Sequence, residues 1–342
     1  MTTFKAAVLT SINKPLEILE LITPNKLGEG QVLIKILKAS LCGSQLGEIS
    51  AVKGADKYLP HVLGHEAVAE IIEVGVNVQH LQIGDKVIAH WMKNPQADGE
   101  QISYLTISGE SVNSGPIAIF ADLAIVSQNR LTKITSHLDE SILAVIGCGF
   151  LTSYGVIKRD LKITSQSKGS LLILGFGGIG QITFTLASKL SNLEITVLDN
   201  NELNLVKARK MGVKEICSSL NQLKDGNFEF IIDTTGNTKI IENGYQLLAK
   251  PGILCLVGVT PVDEKIEIDP MPLHYGRQII GSFGGQAVPG VDIPEILTLI
   301  EKDVNWFREV IGESYPLSQI NEAVELLKSG KNSGRVLINF SM

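Results

Sequence analysis

Up to about residue 150 the chain alternates short apolar blocks with turn residues. Lys5–Thr10, Leu16–Leu21, Gln31–Leu37 and Ala67–Val74 are rich in Val, Ile and Leu, and Asn13–Pro15, Pro24–Asn25, Gly28–Gly30, Gly75 and Gly84–Asp85 separate them. Blocks of this length bounded by Gly, Pro, Asn and Asp predict strands, here a small twisted β-barrel-like unit. Lys93–Gly115 is polar and weakly patterned and reads as a loop. The rhythm changes at Lys168. Strands are expected at Ser170–Leu174, Glu194–Leu198, Phe228–Asp233, Ile253–Val257 and Ile279–Phe283. Helices are expected at Ile179–Leu190, at Glu202–Met211 (closed by Gly212) and at Lys239–Ala249. Strands alternating with helices mean βαβ units and a parallel sheet. Two helical segments, Ile293–Lys302 and Ser318–Ser329, and a strand, Arg335–Phe340, end the chain.

Composition narrows the class. The 342 residues suit two domains at roughly 100–200 residues each. A net charge of −6 with no Lys/Arg block excludes a basic nucleic-acid face. Apolar runs such as Leu171–Leu174 and Cys255–Val259 are too short to span a membrane, and the first ten residues carry no secretory pattern, so the expected compartment is the cytoplasm. Cys42, Cys148, Cys217 and Cys255 are scattered without a CxxC pair, which in a reducing compartment makes them free thiols or metal ligands.

The strongest local motif is Gly175-Phe176-Gly177-Gly178-Ile179-Gly180. Such a glycine pattern alone is common; this one follows a strand and opens a helix. Gly175 permits the tight turn, Gly177 clears the approach of a pyrophosphate, and Gly180 lets helix and strand pack closely. The helix N-terminus offers free N–H groups and the positive end of its dipole to the phosphates. Asp199 ends the next strand 19 positions after Gly180, where an acid bonds the ribose hydroxyls; Asn200 and Asn201 bring no charge for a 2′-phosphate. The reading is NAD.

Cys42, His65 and Cys148 each lie in a glycine-flanked turn: Leu41-Cys42-Gly43-Ser44, Gly64-His65-Glu66 and Gly147-Cys148-Gly149. Singly, a cysteine is most often a small buried hydrophobe. Together, two thiolates and an imidazole with an open fourth position form a catalytic zinc set. Glu66 is placed to be an occasional fourth ligand or to support the others.

On these residues, and on Gly84-Asp85-Lys86-Val87, Gly147-Cys148-Gly149-Phe150, Tyr154-Gly155 and Ser333-Gly334-Arg335-Val336, the chain resembles the zinc-dependent medium-chain dehydrogenases typified by alcohol dehydrogenase, over nearly its whole length. The resemblance implies an α/β protein with a GroES-like β-rich catalytic domain (residues 1–150 and 286–342) and a Rossmann NAD-binding domain (residues 151–285). It implies zinc on Cys42, His65 and Cys148, and Ser44 as the relay of the alcohol proton. It implies cofactor contacts from Thr152, Val257, Gly258, Val259 and Arg335, the last near the pyrophosphate, and substrate-pocket aromatics at Trp91 and Phe120. The site is expected in the cleft between the domains, and a homo-oligomer, dimer or tetramer, is expected through an edge strand at Ile279–Phe283.

Departures from the family pattern shape these expectations. Lys93–Gly115 holds no cysteine where many members bind a second, structural zinc, so one zinc per subunit is expected. Gln45 stands where most members carry an Asp bonded to the ligand histidine. Gly47 replaces a relay histidine, which leaves Ser44 to pass its proton to the cofactor ribose or to water. Ala69 replaces a usual glycine. Gln45, His90 and Lys93 near the expected pocket favour a polyol or sugar-type alcohol. Two other readings stay open: a zinc-free, NADPH-dependent enone or quinone reductase of the same superfold, opposed by Cys42, His65, Cys148 and Asp199, and a non-catalytic dinucleotide-binding protein, hinted at by Gln45 and Gly47.

Overall fold

The structure is a computed structural model that describes residues 2–223 and 226–340. The chain forms two compact units: Met1–Cys148 with Val288–Val304 and Ile311–Met342, and Gly149–Ala287 with Asn305–Val310.

In the first unit, strands Thr3–Leu9, Glu17–Ile22, Ser103–Thr106, Ser111–Asn113 and His61–Val62 close into a barrel. A second sheet runs in the order Leu131–Lys133, Lys86–Ala89, Ala67–Val74, Gln31–Leu41, Arg335–Asn339, Ile311–Pro316, with Leu123–Ser127 also paired to Gln31–Leu41. The long strand Gln31–Leu41 explains its own unbroken apolar run. Val32, Ile34 and Ile36 enter one core cluster while Leu33, on the opposite face, enters the other. A strand buried on both faces loses the apolar–polar alternation that marks a half-buried one.

Lys93–Gly115 is not a plain loop. It carries the hairpin Ser103–Thr106 and Ser111–Asn113, two staves of the barrel. Only Tyr104, Thr106 and Val112 of the hairpin turn fully inward, so its sequence is mostly polar and hides the strands. The Tyr104 ring meets Phe4 edge-on at 5.1 Å, its hydroxyl accepts from the Ile125 N–H at 2.7 Å, and burial pushes its pKa up to about 12.

The second unit is built on six parallel strands in the order Glu215–Cys217, Glu194–Leu198, Ser170–Leu174, Phe228–Asp233, Leu248–Leu256, Arg277–Gly281. Counted along the chain this is 3-2-1-4-5-6, the doubly wound order whose switch point lies between the first and fourth strands. The helix expected over Lys239–Ala249 is shorter, Thr238–Gln246, and Leu248 and Ala249 already belong to the next strand. Asn237 caps its start by accepting from Lys239 and Ile240 N–H. Pro251, without an N–H, cannot continue a helix, so the apolar spacing outlasts it. Asn305–Val310 packs with this unit rather than with the segments flanking it: the Phe307 ring lies 5.9 Å from Phe150, and the Trp306 indole N–H donates to the Thr185 carbonyl at 3.1 Å.

Candidate metal centre and dinucleotide loop

Three separate elements deliver the donors of the first unit. Cys42 follows strand Gln31–Leu41 and precedes the short helix Gly43–Ile49. His65 follows Gly64, whose φ of +94° and close packing admit no side chain: a Cβ there would lie 2.7 Å from the Phe120 ring. Cys148 sits on a π-helical turn, Ile146–Phe150. Such wide turns recur at functional sites, and Gly147 lets this one approach strand Lys86–Ala89, because a Cβ on it would run into the Ala89 carbonyl oxygen. The result is one ligand atom from each of Cys42, His65 and Cys148, all within 4.8 Å of one another. Hydrogen bonding from Cys148, helped by the charge of Arg335 and by His65, holds the Cys42 thiol well below its ordinary pKa although burial pushes the other way.

The surroundings are polar and buried. Gln45, fully enclosed, accepts from the Cys42 N–H through Oε1 at 2.8 Å, and its Nε2 lies 2.6 Å from His65 Nδ1. His65 Nε2 and Ser44 Oγ are buried with no hydrogen-bond partner among the described residues. Glu66 accepts from the Cys148 N–H at 2.9 Å and forms an ion pair with Arg335, whose guanidinium also donates to Ser40 Oγ at 2.9 and 3.2 Å. Glu66 is therefore committed to Arg335 and to the Cys148 backbone and lies outside the three-donor group. Both charges are almost fully buried. Arg335→Met, which strands the Glu66 carboxylate, should destabilise the protein by about 3–5 kcal/mol, a fall of roughly 10 °C in Tm by calorimetry.

The glycine loop of the second unit lies at the switch point. Gly180 is packed so that a Cβ would run into the Gly175 carbonyl oxygen, whereas a Cβ on Gly177 would meet nothing within 4 Å. Gly177 is thus not demanded by the fold; it keeps space open in front of helix Gly178–Leu190, whose first residues are Gly178 and Ile179. Asp199 accepts from the Phe176 N–H at 2.6 Å and Asn204 Nδ2 at 3.0 Å through Oδ2, and from the Asn201 N–H at 2.8 Å through Oδ1. The acid thereby pins the glycine turn and keeps spare accepting capacity on Oδ1. Val257 and Gly258 both donate backbone N–H to the Asp233 carbonyl at 2.9 Å, and Val259 is 58% exposed. The Asp233 carboxylate accepts from Thr235 and Gly236 N–H, a turn-building role that the sequence signals only as Asp-Thr-Thr-Gly after a strand. Thr152 is buried on helix Leu151–Gly155 in the same unit.

Other expected site residues are placed differently. Phe120 is fully buried in the core beside Ile119 and Leu63, where its ring packs over Gly64. Trp91 is half-buried, and its carbonyl accepts from Arg130. His90 is sealed inside: its ring nitrogens pair with the Met92 carbonyl at 2.8 Å and Thr132 Oγ1 at 2.9 Å, and burial lowers its pKa to about 4. Lys93 is held by Asp98 at 2.6 Å on the surface. Glu48, which no sequence motif singles out, lies on the helix after Cys42, and burial raises its carboxyl pKa against the pull of His65, His61 and Lys53.

Residues 28–136 match the alcohol dehydrogenase GroES-like domain and residues 178–302 the zinc-binding dehydrogenase domain. The chain is 28% identical to the alcohol dehydrogenase class-2 isozyme 2 of Oryctolagus cuniculus (98% of this chain, 97% of that one). It is 29% identical to the alcohol dehydrogenase of Geobacillus stearothermophilus, over 98% of both. The benzyl alcohol dehydrogenase of Acinetobacter calcoaceticus superposes with a TM-score of 0.87 over 100% of both chains at 23% identity, which shows a shared fold. The chain belongs to the zinc-type, alcohol dehydrogenase-like family of medium-chain oxidoreductases.

Proposed function

We propose that the protein is a zinc-dependent alcohol oxidoreductase that uses NAD. The observation that carries this reading is the convergence of Cys42, His65 and Cys148 to within 4.8 Å, with His65 Nε2 left buried and unpartnered among the described residues. Two thiolates and an imidazole suit zinc, and three protein donors leave a position for substrate oxygen. A zinc-free reductase has no use for this cluster.

Cys42, His65 and Cys148 would hold the metal, and Gly175–Gly180 with Asp199 the dinucleotide. When bound, zinc supplies a Lewis acid that acidifies the alcohol, and NAD supplies the hydride acceptor. The chain's own residues do the rest. Ser44 Oγ, buried without a partner among the described residues, is free to take the hydroxyl proton of the substrate while passing its own on to the cofactor ribose or to water. Arg335 neutralises Glu66 beside the thiolates, and the Glu66 carboxylate fixes the Cys148 backbone. We place Thr152, Val257, Gly258 and Val259 around the cofactor, with Arg335 toward its pyrophosphate, and keep Trp91 as the pocket aromatic, since Phe120 is spent in the core. His90 and Lys93 are engaged elsewhere, so they lend no support to a polyol or sugar-type alcohol. We assign one zinc per chain, because Lys93–Gly115 lacks cysteine.

The assignment of NAD rests on Asp199. Asp199→Gly loosens the glycine turn for both cofactors, but it should weaken NAD binding by roughly 10- to 100-fold more than NADP binding, the loss of one or two further hydrogen bonds between a charged group and the ribose. Fluorescence titration of both cofactors measures this; equal losses would remove the ribose assignment. No helix of the described residues is long and apolar enough to cross a membrane. The last strand of the parallel sheet, Arg277–Gly281, has one open edge, with Phe283, Tyr275 and Met271 exposed nearby. This favours pairing of two copies through that edge.

A further inference from the structure

The residue that meets His65 is an amide, not a carboxylate, and its chemistry has a consequence for metal loading. Gln45 is fully buried between two groups. Its Oε1 accepts the Cys42 N–H at 2.8 Å, and its Nε2 lies 2.6 Å from His65 Nδ1. An amide nitrogen donates and does not accept. In this arrangement Nδ1 must offer its lone pair, so the neutral ring carries its proton on Nε2. That nitrogen is the buried, unpartnered one, the ring atom left for a metal.

A metal on Nε2 needs the lone pair there, which sends the ring proton to Nδ1. Nδ1–H then faces the Gln45 NH2 group at hydrogen-bond distance, donor against donor. Turning the amide over brings Oε1 to Nδ1–H but turns the NH2 group onto the Cys42 N–H, which is also a donor. One amide, with one accepting end, cannot serve two donors on opposite ends; a carboxylate, with two accepting oxygens, can.

We propose that metal loading at Cys42, His65 and Cys148 switches the His65 tautomer and reverses the Gln45 side-chain amide, and that Gln45 thereby holds the metal affinity below what a carboxylate would confer. Gln45 is a positioning residue: it acts through His65 and through the backbone of Cys42. The proposal rests on the metal reading above.

Two measurements on the full-length protein test it. The first is zinc affinity by chelator competition for the wild type and for Gln45→Glu, which keeps the side-chain length and supplies two acceptors. Binding should tighten by roughly 10- to 100-fold, the usual weight of a group that orients a ligand histidine. The second is 15N NMR of the wild type labelled at histidine and glutamine, without metal and with zinc, following the ring whose signals zinc displaces. Its Nδ1 should be unprotonated before zinc and protonated after, and the Gln45 side-chain NH2 resonances should move with it. This tautomer exchange would not follow from a purely structural role and does not depend on the variant folding. A ring protonated on Nδ1 in both states, or an affinity for Gln45→Glu within about twofold of the wild type, would overturn the proposal while leaving the metal site standing. Failure of the wild type to bind zinc at all would overturn both.

Discussion

Cys148→Ser should strip the protein of its zinc and abolish turnover while leaving it folded. Purified wild type should carry about one zinc per chain, as a three-donor catalytic site without a structural site requires. A serine hydroxyl is a poor substitute for thiolate toward zinc. The hydrogen bond that anchors this turn comes from the backbone N–H of residue 148 to Glu66, so it survives the change. A Lewis acid contributes several kcal/mol, so kcat/KM should fall by roughly a thousandfold or more. Metal analysis and NAD reduction across an alcohol panel read both effects. A wild-type value near two would reveal a second site. A value near zero would favour the zinc-free reductase and make enones the first substrates to try. Zinc and full turnover retained in Cys148→Ser would refute the three-ligand assignment.

Gly177→Val should do the opposite kind of damage, leaving stability almost untouched and removing the cofactor. A Cβ at Gly177 meets nothing within 4 Å, and its φ of −70° is open to any residue. The added side chain would occupy the space kept clear before the helix N-terminus and cut off hydrogen bonds to the pyrophosphate. Two such bonds to a charged group correspond to a loss of roughly a hundredfold or more in NAD affinity. Tm should move by no more than about 2 °C, since N-cap glycine replacements are worth only tenths of a kcal/mol to about 1. Gly180→Ala is the control: its Cβ would collide with the Gly175 carbonyl, and overpacking of about 1–3 kcal/mol should lower Tm as well. If Gly177→Val bound NAD as the wild type does, the glycine loop would not be the pyrophosphate site.

Where sequence and fold diverge, the cause is visible in single elements. The hairpin in Lys93–Gly115 is hidden because few of its residues are buried. Helix Gly43–Ile49 is too short to show a period, and Glu140–Asp160 is broken into α and π turns that blur one. The polarity of His90 suggests a pocket, but one polar residue taken singly does not show whether it faces a pocket or is satisfied inside the core, as His90 is. The same holds for the aromatic ring of Phe120.

The sequence by itself determined what local physics governs. A strand, a glycine turn, a helix and an acid at the next strand's end lie within about 30 residues in Ser170–Asp199, so the dinucleotide loop is legible from the chain alone. The residue types able to bind zinc are legible too, each marked by its glycine neighbours. Only the tertiary structure decided their partners. Arg335 meets Glu66 across 269 positions because strand Arg335–Asn339 lies antiparallel to Gln31–Leu41, with Val336 opposite Leu41, which brings the guanidinium beside Ser40 and the Cys42 turn. Gln45 faces His65 because the helix after Cys42 packs against the turn after Gly64. Such contacts form only once distant strands pair in register and a shared core excludes water, and no window of the chain contains that information.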